Sequence, residues 1–313
     1  MQRSFKIVLS LILLLGISNA IHAYQQKRPV RYKDEVFENI LLIQDLIYGK
    51  NKTQSGYTQR LKLDIYQPLI DTAKTRPLII LAHGGFFLFG SKENFAEECE
   101  ILAKSGFVAV SINYRLIDVV ESVVSYKRAV IDAVNDMKAA VRFFKKDAYT
   151  QNEFRIDTNN IFIGGYSAGA ITSLHYAYVN TARDVYSIGK NLMLTYIIKH
   201  GGPQGNSGNP GYSSNIRGVI NIAGSLQKAD LVDANEPVLF SVHGTDDVIV
   251  PYYTGVSGNS NVKTEGSGLI HQRANEIGLK NKLISIKGAD HFVFFQCDSC
   301  HLELRNFIYS NLK

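Results

Sequence analysis

The chain is poor in proline and cysteine, and it has no train of long apolar runs. Only 7 of its 313 residues are Pro, against 25 Gly. That excludes collagen-like and low-complexity compositions. Past the N-terminus no segment reaches the roughly 20 consecutive apolar residues that a membrane span needs, which excludes a polytopic membrane protein. No Lys/Arg block of five or more residues occurs. The net charge of +6, from 34 basic and 28 acidic residues, therefore reads as solvated surface charge and not as a nucleic-acid footprint. There is no internal repeat. What remains is an ordinary globular composition, 45% hydrophobic and 20% charged, rich enough to build a sizeable core.

The N-terminus carries the pattern of an export signal. Arg3 and Lys6 precede the apolar run Ile7–Ile17, and the small residues Ser18-Asn19-Ala20 follow. Basic, apolar and small-residue regions in that order direct secretion. The run is too short to anchor a membrane protein. Cleavage is expected after Ala20, with Ala23 as the second choice. Removing Arg3 and Lys6 lowers the net charge from +6 to +4. The expected organisation is a signal peptide over residues 1–20 and a single domain over 21–313, secreted or periplasmic, with no stable membrane insertion.

Export makes disulfides possible. The three cysteines are Cys99, Cys297 and Cys300, and an odd count leaves at least one thiol free or bonded to another chain. Phe95, Cys99 and Leu102 share one face of an expected helix, so Cys99 reads as a core residue. Cys297-Asp298-Ser299-Cys300 is a lone C-x-x-C. It lacks a thioredoxin-type context, and it lacks the second pair that a zinc site needs. A structural bridge involving Cys297 or Cys300 is expected, with Cys99–Cys297, Cys99–Cys300 and Cys297–Cys300 all open.

Short continuous apolar runs recur at Leu78–Ala82, Val108–Ile112, Ile161–Ile163, Val219–Ile222, Val238–Val242 and Leu283–Ile286. Such runs fit strands covered on both faces of a parallel sheet. Leu41–Tyr48 and Leu61–Tyr66 alternate more and read as outer strands. Between them lie helical stripes. Val130, Val134, Met137, Val141 and Phe144 repeat at steps of four and three, and Ile270, Ala274 and Ile277 do the same. Leu304, Phe307, Ile308 and Leu312 mark a closing helix. Strand–helix alternation predicts an α/β fold with a mostly parallel sheet of about eight strands. Gly201–Asn215, rich in Gly, Asn and Ser, reads as a mobile loop closing a short insertion at about 180–215.

Four motifs follow strands. Gly165-Tyr166-Ser167-Ala168-Gly169 sits between an expected strand and an expected helix. A nucleophile on a tight strand-to-helix turn needs small neighbours two positions to either side, because a larger residue would clash with adjacent elements. Ser167 would then stand at a helix N-terminus whose dipole favours developing negative charge. His83-Gly84-Gly85-Phe86 follows Leu78–Ala82. Its bend lets the backbone N–H groups of Gly85 and Phe86, with that of Ala168, approach an oxyanion, each donor contributing about 3–4 kcal/mol to acyl transfer. His243-Gly244-Thr245-Asp246-Asp247 supplies a carboxylate able to orient a base imidazole, and two adjacent aspartates compete for that role. Gly288-Ala289-Asp290-His291-Phe292 places a histidine on a loop at a strand end, which singles His291 out among the eight histidines. Ser, acid, His is the chain order of one common serine-hydrolase fold.

On these motifs the chain resembles the α/β-hydrolase superfamily, and within it the esterase/lipase group with an HGG-type oxyanion loop. Leu63-Asp64-Ile65-Tyr66-Gln67-Pro68 and Ser111-Ile112-Asn113-Tyr114-Arg115-Leu116 look like that group's strand motifs. Ala139-Ala140-Val141-Arg142-Phe143 and Arg155-Ile156-Asp157 stand before the elbow as they do there. The resemblance runs from about Leu61 to the C-terminus. His243-Gly244-x-x-Asp247-x-x-Val250-Pro251 matches the group's acid motif, which implies that Asp247 is the acid and Asp246 its neighbour. Two departures stand out. Phe86 replaces the third Gly of many members, which keeps a backbone donor and places a ring to narrow or line the acyl pocket. The elbow GYSAGA looks closer to secreted carboxylesterases and to feruloyl or acetylxylan esterases than to the GDSAGG of hormone-sensitive-lipase relatives.

The resemblance implies a serine carboxylesterase with catalytic Ser167, Asp247 and His291 and an oxyanion hole of Gly85, Phe86 and Ala168. Its partner is an ester substrate, and neither a metal nor an organic cofactor is required. The small, mostly polar insertion favours short-acyl or aryl esters over long-chain lipids. Feruloyl, acetylxylan and polyester hydrolysis are the specific alternatives. A serine peptidase of the same fold is the rival, but about 40 residues between Ala20 and Leu61 are too few for the propeller such peptidases usually carry. An imidazole base fails once protonated, so ester turnover should fall as pH drops below about 6.5. A rate profile recorded alongside circular dichroism, to confirm folding, checks this; a flat profile counts against His291.

Overall fold

The computed structural model describes residues 28–313, so the expected export segment at 1–20, with its alternative end at 23, lies outside the described residues. In chain order the strands are β1 (Ile40–Lys52), β2 (Thr58–Pro68), β3 (Arg76–Ala82), β4 (Val108–Ile112), β5 (Ile156–Tyr166), β6 (Gly218–Ile222), β7 (Ser225–Leu226), β8 (Val238–Gly244), β9 (Thr254–Ser257), β10 (Val262–Gly266) and β11 (Asn281–Ile286). The helices are α1 (Ala96–Lys104), α2 (Val123–Tyr149), α3 (Ala168–Tyr178), α4 (Ala182–Lys199), α5 (Ser267–Glu276) and α6 (Asp298–Ser310).

Eight strands make one sheet in the order β1-β2-β4-β3-β5-β6-β8-β11. β2 runs antiparallel to β1 and β4, while every pairing from β4 across to β11 is parallel. The expected sheet is thus present, with the two alternating segments at one edge. Period two explains why its central strands read as continuous apolar runs. In β3, Leu78 and Ile80 face a core formed with Met137, Val141 and Phe144 of α2 and Leu174 of α3. Ile79 and Leu81 face the opposite core, with Phe95, Cys99 and Leu102, and with Leu304 and Ile308 of α6. Both faces are covered, so these strands are apolar on both sides except where a buried polar group finds a partner.

α2 begins at a capping box, where Ser122 Oγ accepts from Ser125 N–H at 3.0 Å. Its apolar stripe then follows the sheet. The bridge left open by the sequence is Cys297–Cys300, and Cys99 is a free, buried thiol. Among the described residues no helix is long and apolar enough to cross a membrane.

Two features depart from the sequence expectations. A second, three-stranded sheet in the order β7-β10-β9 is present where no strand was expected, with β7 before the acid motif and β9 and β10 after it. The Gly-rich loop at 201–215 is pinned where its composition predicted mobility. Ser207 Oγ donates to Asp136 at 2.6 Å, Arg142 donates to the carbonyls of Gln204 and Gly208, and Asn209 donates to the carbonyl of Tyr48. Composition set the expectation, and long-range partners overrode it.

One of those anchors, Ser207, reaches a buried ion cluster. Arg115 is 1% exposed and holds Asp136 at 2.8 Å and Asp132 at 3.2 Å, and its Nη1 also donates to the carbonyl of Lys52. Tyr196 of α4 donates to Asp132, which ties the helix after the elbow helix back to α2. Burial pushes the Asp132 carboxyl up to about 6, even though Arg115 opposes the shift. Removing one partner of a buried pair leaves an uncompensated charge. Asp136→Ala should therefore cost about 3–5 kcal/mol of stability, read from urea unfolding of the variant beside the wild type.

Candidate active site

Ser167 lies on the one-residue turn between β5 and α3. Its backbone is held at φ 53°, ψ −115°, outside the regions comfortable for a side chain with a Cβ. The neighbouring packing makes this turn possible. A Cβ on Gly169 would come within 1.9 Å of the Ala82 carbonyl oxygen, and one on Gly165 within 2.3 Å of the same atom. Only hydrogen at both positions lets the end of β3 lie against the elbow. Ser167 N–H donates to the Ile222 carbonyl at 2.9 Å, fixing the turn to β6.

The His83–Phe86 loop meets this turn. A Cβ on Gly84 would lie 3.3 Å from Ser167 Cβ. Phe86 and Phe87 have positive φ, 56° and 62°, so the bend is strained at non-glycine residues. Among the described residues the N–H groups of Gly85 and Phe86 meet no protein acceptor. Ala168 opens α3, where an N–H has no intrahelical partner. His83 belongs to the scaffold. Its Nδ1 donates to the Gly84 carbonyl, its ring stacks on Tyr114 at 4.4 Å, and burial pulls its pKa down.

Asp247 and His291 are brought into contact from the loops after β8 and β11. His291 Nδ1 lies 2.6 Å from Asp247 Oδ2. A Cβ on Gly244 would strike the carbonyl oxygens of Ala289 and Asp290, at 2.2 and 2.3 Å, so that glycine lets the two loops close. Asp246 points away, exposed, and accepts from Thr245 Oγ1. The carboxylate of Asp247 takes four donors. Oδ1 accepts from the N–H groups of Ile249 and Val250, and Oδ2 accepts from His291 and from His243 Nε2 at 3.1 Å. Burial pushes this carboxyl up, but the hydrogen bonds from His243 and His291 outweigh it and hold the group well below the usual carboxylate range.

Because Nδ1 of His291 faces a carboxylate, it carries the proton, which leaves Nε2 as the lone-pair nitrogen. Ser167 and His291 are 5% and 4% exposed, on the same rim, and the Tyr166 ring packs 4.8 Å from the imidazole. No hydrogen bond joins Ser167 Oγ to His291 in this structure. Such contacts commonly tighten only with substrate bound.

A buried chain of hydrogen bonds that sequence reasoning missed backs the carboxylate. His243 Nε2 faces two acceptors, Asp247 Oδ2 and the Val250 carbonyl, so it carries the proton and its Nδ1 accepts from Ser267 Oγ at 2.8 Å. Asn221 Nδ2 donates to both Ser267 Oγ and Ser241 Oγ, while its Oδ1 accepts from Gly224 N–H. Ser241 Oγ donates to His271 Nε2, and His271 Nδ1 donates to Asn281 Oδ1. Burial holds His271 down to about 4, keeping it neutral. The only sequence signal for this chain was polar residues inside apolar strand runs, Asn221 in β6 and Ser241 in β8.

Beside Ser167 opens a cavity of about 410 Å³. Its walls come from α2, α3, α4 and the β9–β10 hairpin, with Phe86, Val130, Ile171, Met193 and Val262 among them. Among the described residues no group of His, Cys, Asp and Glu is arranged to hold a metal.

The sheet order and the strand–turn–helix elbow are those of the α/β-hydrolase fold. The family model described as BD-FAE matches residues 63–203 of this chain. Esterase P of Drosophila melanogaster is 24% identical over 159 residues, covering 49% of this chain and 28% of that protein. Esterase-5A of Drosophila miranda is 25% identical over 162 residues, covering 50% and 28%. The matched stretch thus spans under a third of the length of these curated relatives. Among solved structures, the thermophilic esterase Est2 of Thermogutta terrifontis, bound to butyrate, is similar with a TM-score of 0.61 at 20% identity, over 84% of this chain and 91% of that chain. A bifunctional GH43-CE protein of Bacteroides eggerthii has a TM-score of 0.62 at 21% identity, over 91% and 36%.

Because folding depresses the Asp247 pKa, the ionised carboxylate stabilises the native state. That contribution is complete above the unfolded carboxyl's pKa of about 3.9 and is lost as pH falls below it. Asp247→Asn should flatten the fall of the urea midpoint between about pH 5 and pH 2. A variant with the same acid sensitivity as the wild type would sink this assignment.

Proposed function

We propose that the protein is an exported serine carboxylesterase that works through an acyl-enzyme on Ser167. The observation that carries this reading is the 2.6 Å contact between His291 Nδ1 and Asp247 on the rim that also holds the strained Ser167 turn. The esterase relatives and the esterase neighbours of the same fold support it. Export rests on the pattern of residues 1–20 alone and gives a secreted or periplasmic protein.

In this mechanism Ser167 Oγ attacks the ester carbonyl carbon, and His291 Nε2 takes its proton. The carbonyl oxygen becomes an oxyanion facing the free N–H groups of Gly85, Phe86 and Ala168. Asp247 keeps the imidazole in its tautomer and stabilises the cation that forms. The carbon–oxygen bond to the alcohol breaks, and His291 returns the proton to the leaving oxygen. Water then attacks the acyl-enzyme, again losing a proton to His291, and collapse frees the acid and Ser167.

The acyl group enters the apolar cavity beside Ser167. The insertion favoured short-acyl or aryl esters on its size. The cavity supports aryl groups and extends the range to acyl groups that fill about 410 Å³. Feruloyl, acetylxylan and polyester substrates stay within this reading.

The test is a chain-length series of nitrophenyl esters beside feruloyl and acetyl-xylan substrates and aminoacyl anilides. Ser167→Ala should lower kcat on the preferred ester by at least about 10³-fold. Undiminished turnover in that variant overturns the proposal, and preference for anilides replaces it with a peptidase.

A further inference from the structure

We infer that His243 is a positioning residue of the reaction, holding the Asp247 carboxylate against His291 and sharing the charge of the one oxygen that both imidazoles bind. The inference rests on the reading of Ser167, His291 and Asp247 as the catalytic set and adds the group that governs its acid.

The carboxylate is saturated. An ionised carboxyl group offers about four acceptor sites, two on each oxygen. On Asp247 those of Oδ1 go to the N–H groups of Ile249 and Val250, at 2.8 and 2.9 Å. Those of Oδ2 go to imidazoles, His291 Nδ1 at 2.6 Å and His243 Nε2 at 3.1 Å. The backbone pair fixes Oδ1 but leaves Oδ2 free to swing about it. His291 cannot be the second fixed point, because it is the group being positioned and it changes charge during the reaction. His243 can, since it lies within β8 and has no exposed surface.

The far side of the His243 ring shows that its proton is aimed. Ser267 Oγ donates to His243 Nδ1 at 2.8 Å and itself accepts from Asn221 Nδ2 at 2.9 Å. With Nδ1 occupied as an acceptor, the hydrogen sits on Nε2, which faces Oδ2. Residues of β6, α5 and β8 thus act in series to put one N–H on Asp247. Burial alone does not call for this series, because a strand position covered on both faces is ordinarily apolar. An apolar residue there would leave Asp247 with three donors.

The consequence is electrostatic. The N–H of His243 stabilises the carboxylate whether or not His291 is charged, and it takes up negative charge that would otherwise act on the imidazolium. Without it the protonated form of His291 is favoured, and the base is lost at a higher pH. The other groups facing the pair do not compete with this effect. The Tyr252 ring meets His243 edge-on at 5.5 Å and the Tyr166 ring lies 4.8 Å from His291, and phenols are uncharged below about pH 10. Asp246 and Asp290, in the two adjoining loops, are exposed and screened by solvent. His271, further along the chain, faces Ser241 and is held neutral by burial.

The experiment records kcat and KM against pH for the preferred nitrophenyl ester on the full mature chain, with His243→Leu, His243→Gln and Ser267→Ala. The leucine variant should move the acid limb of the profile up by about one pH unit. Its plateau kcat should fall by about tenfold with KM unchanged. Glutamine keeps an N–H at similar reach, so its limb should stay close to that of the wild type. Ser267→Ala frees the His243 tautomer and should give an intermediate rise. A purely structural role would lower the urea midpoints and leave every limb in place. A limb that stays or falls in His243→Leu, or that rises as far in His243→Gln, overturns the inference. If the leucine variant does not fold, the absence of any rise in Ser267→Ala overturns it instead. Either result with turnover abolished by Ser167→Ala leaves the esterase reading intact, whereas turnover that survives Ser167→Ala overturns both.

Discussion

A buried carboxylate cannot remain ionised without donors, and Asp247 has four. Two come from the backbone of its own loop and two from imidazoles, His243 in β8 and His291 in the loop after β11. Satisfying that one anion dictates how the loop after β8 turns, where the loop after β11 lands and why His243 stays inside the protein. Through Ser267 the same demand reaches the first residue of α5. The chain of donors is complete at every member, and that is the condition under which a buried polar network rigidifies a core without weakening it.

The sheet supplies the geometry for the rest. The His83 loop follows β3, the Ser167 turn follows β5, Asp247 follows β8 and His291 follows β11. These strands are parallel members of one sheet, so their carboxyl ends share one edge, and residues far apart in the chain meet there. Across from this rim, α4 and the β9–β10 hairpin enclose the cavity. The rigid sheet thus holds the chemical groups, and the two added elements shape what reaches them.

The central strands were legible because both faces are covered and nearly all of their residues are apolar. The elbow was legible because Gly165 and Gly169 answer a steric demand visible in five residues. The choice of Asp247 over Asp246 was not available from the residues alone; the resemblance favoured Asp247, and the structure places that residue on His291. The β9–β10 hairpin escaped because Thr254–Gly266 alternates weakly and is rich in Gly, Ser and Asn, which also compose loops. The loop at 201–215 was misread for the same compositional reason, since its stitching to Arg142 and Asp136 joins residues remote in sequence. The size of the cavity could not be read, because four elements from separate stretches contribute its walls.

The bond between Cys297 and Cys300 closes a loop with a sequence separation of only three. A covalent link that short removes little freedom from the unfolded chain, since the entropic gain grows with loop length. Its local effect is to tie the chain just after the His291 loop at the first turn of α6, where Cys297 Sγ accepts from Cys300 N–H. The architecture as a whole rests on the two cores either side of the sheet. Recombinant production in a reducing cytoplasm should therefore yield folded material, with oxidation of this pair serving as a local finishing step and not a prerequisite for assembly.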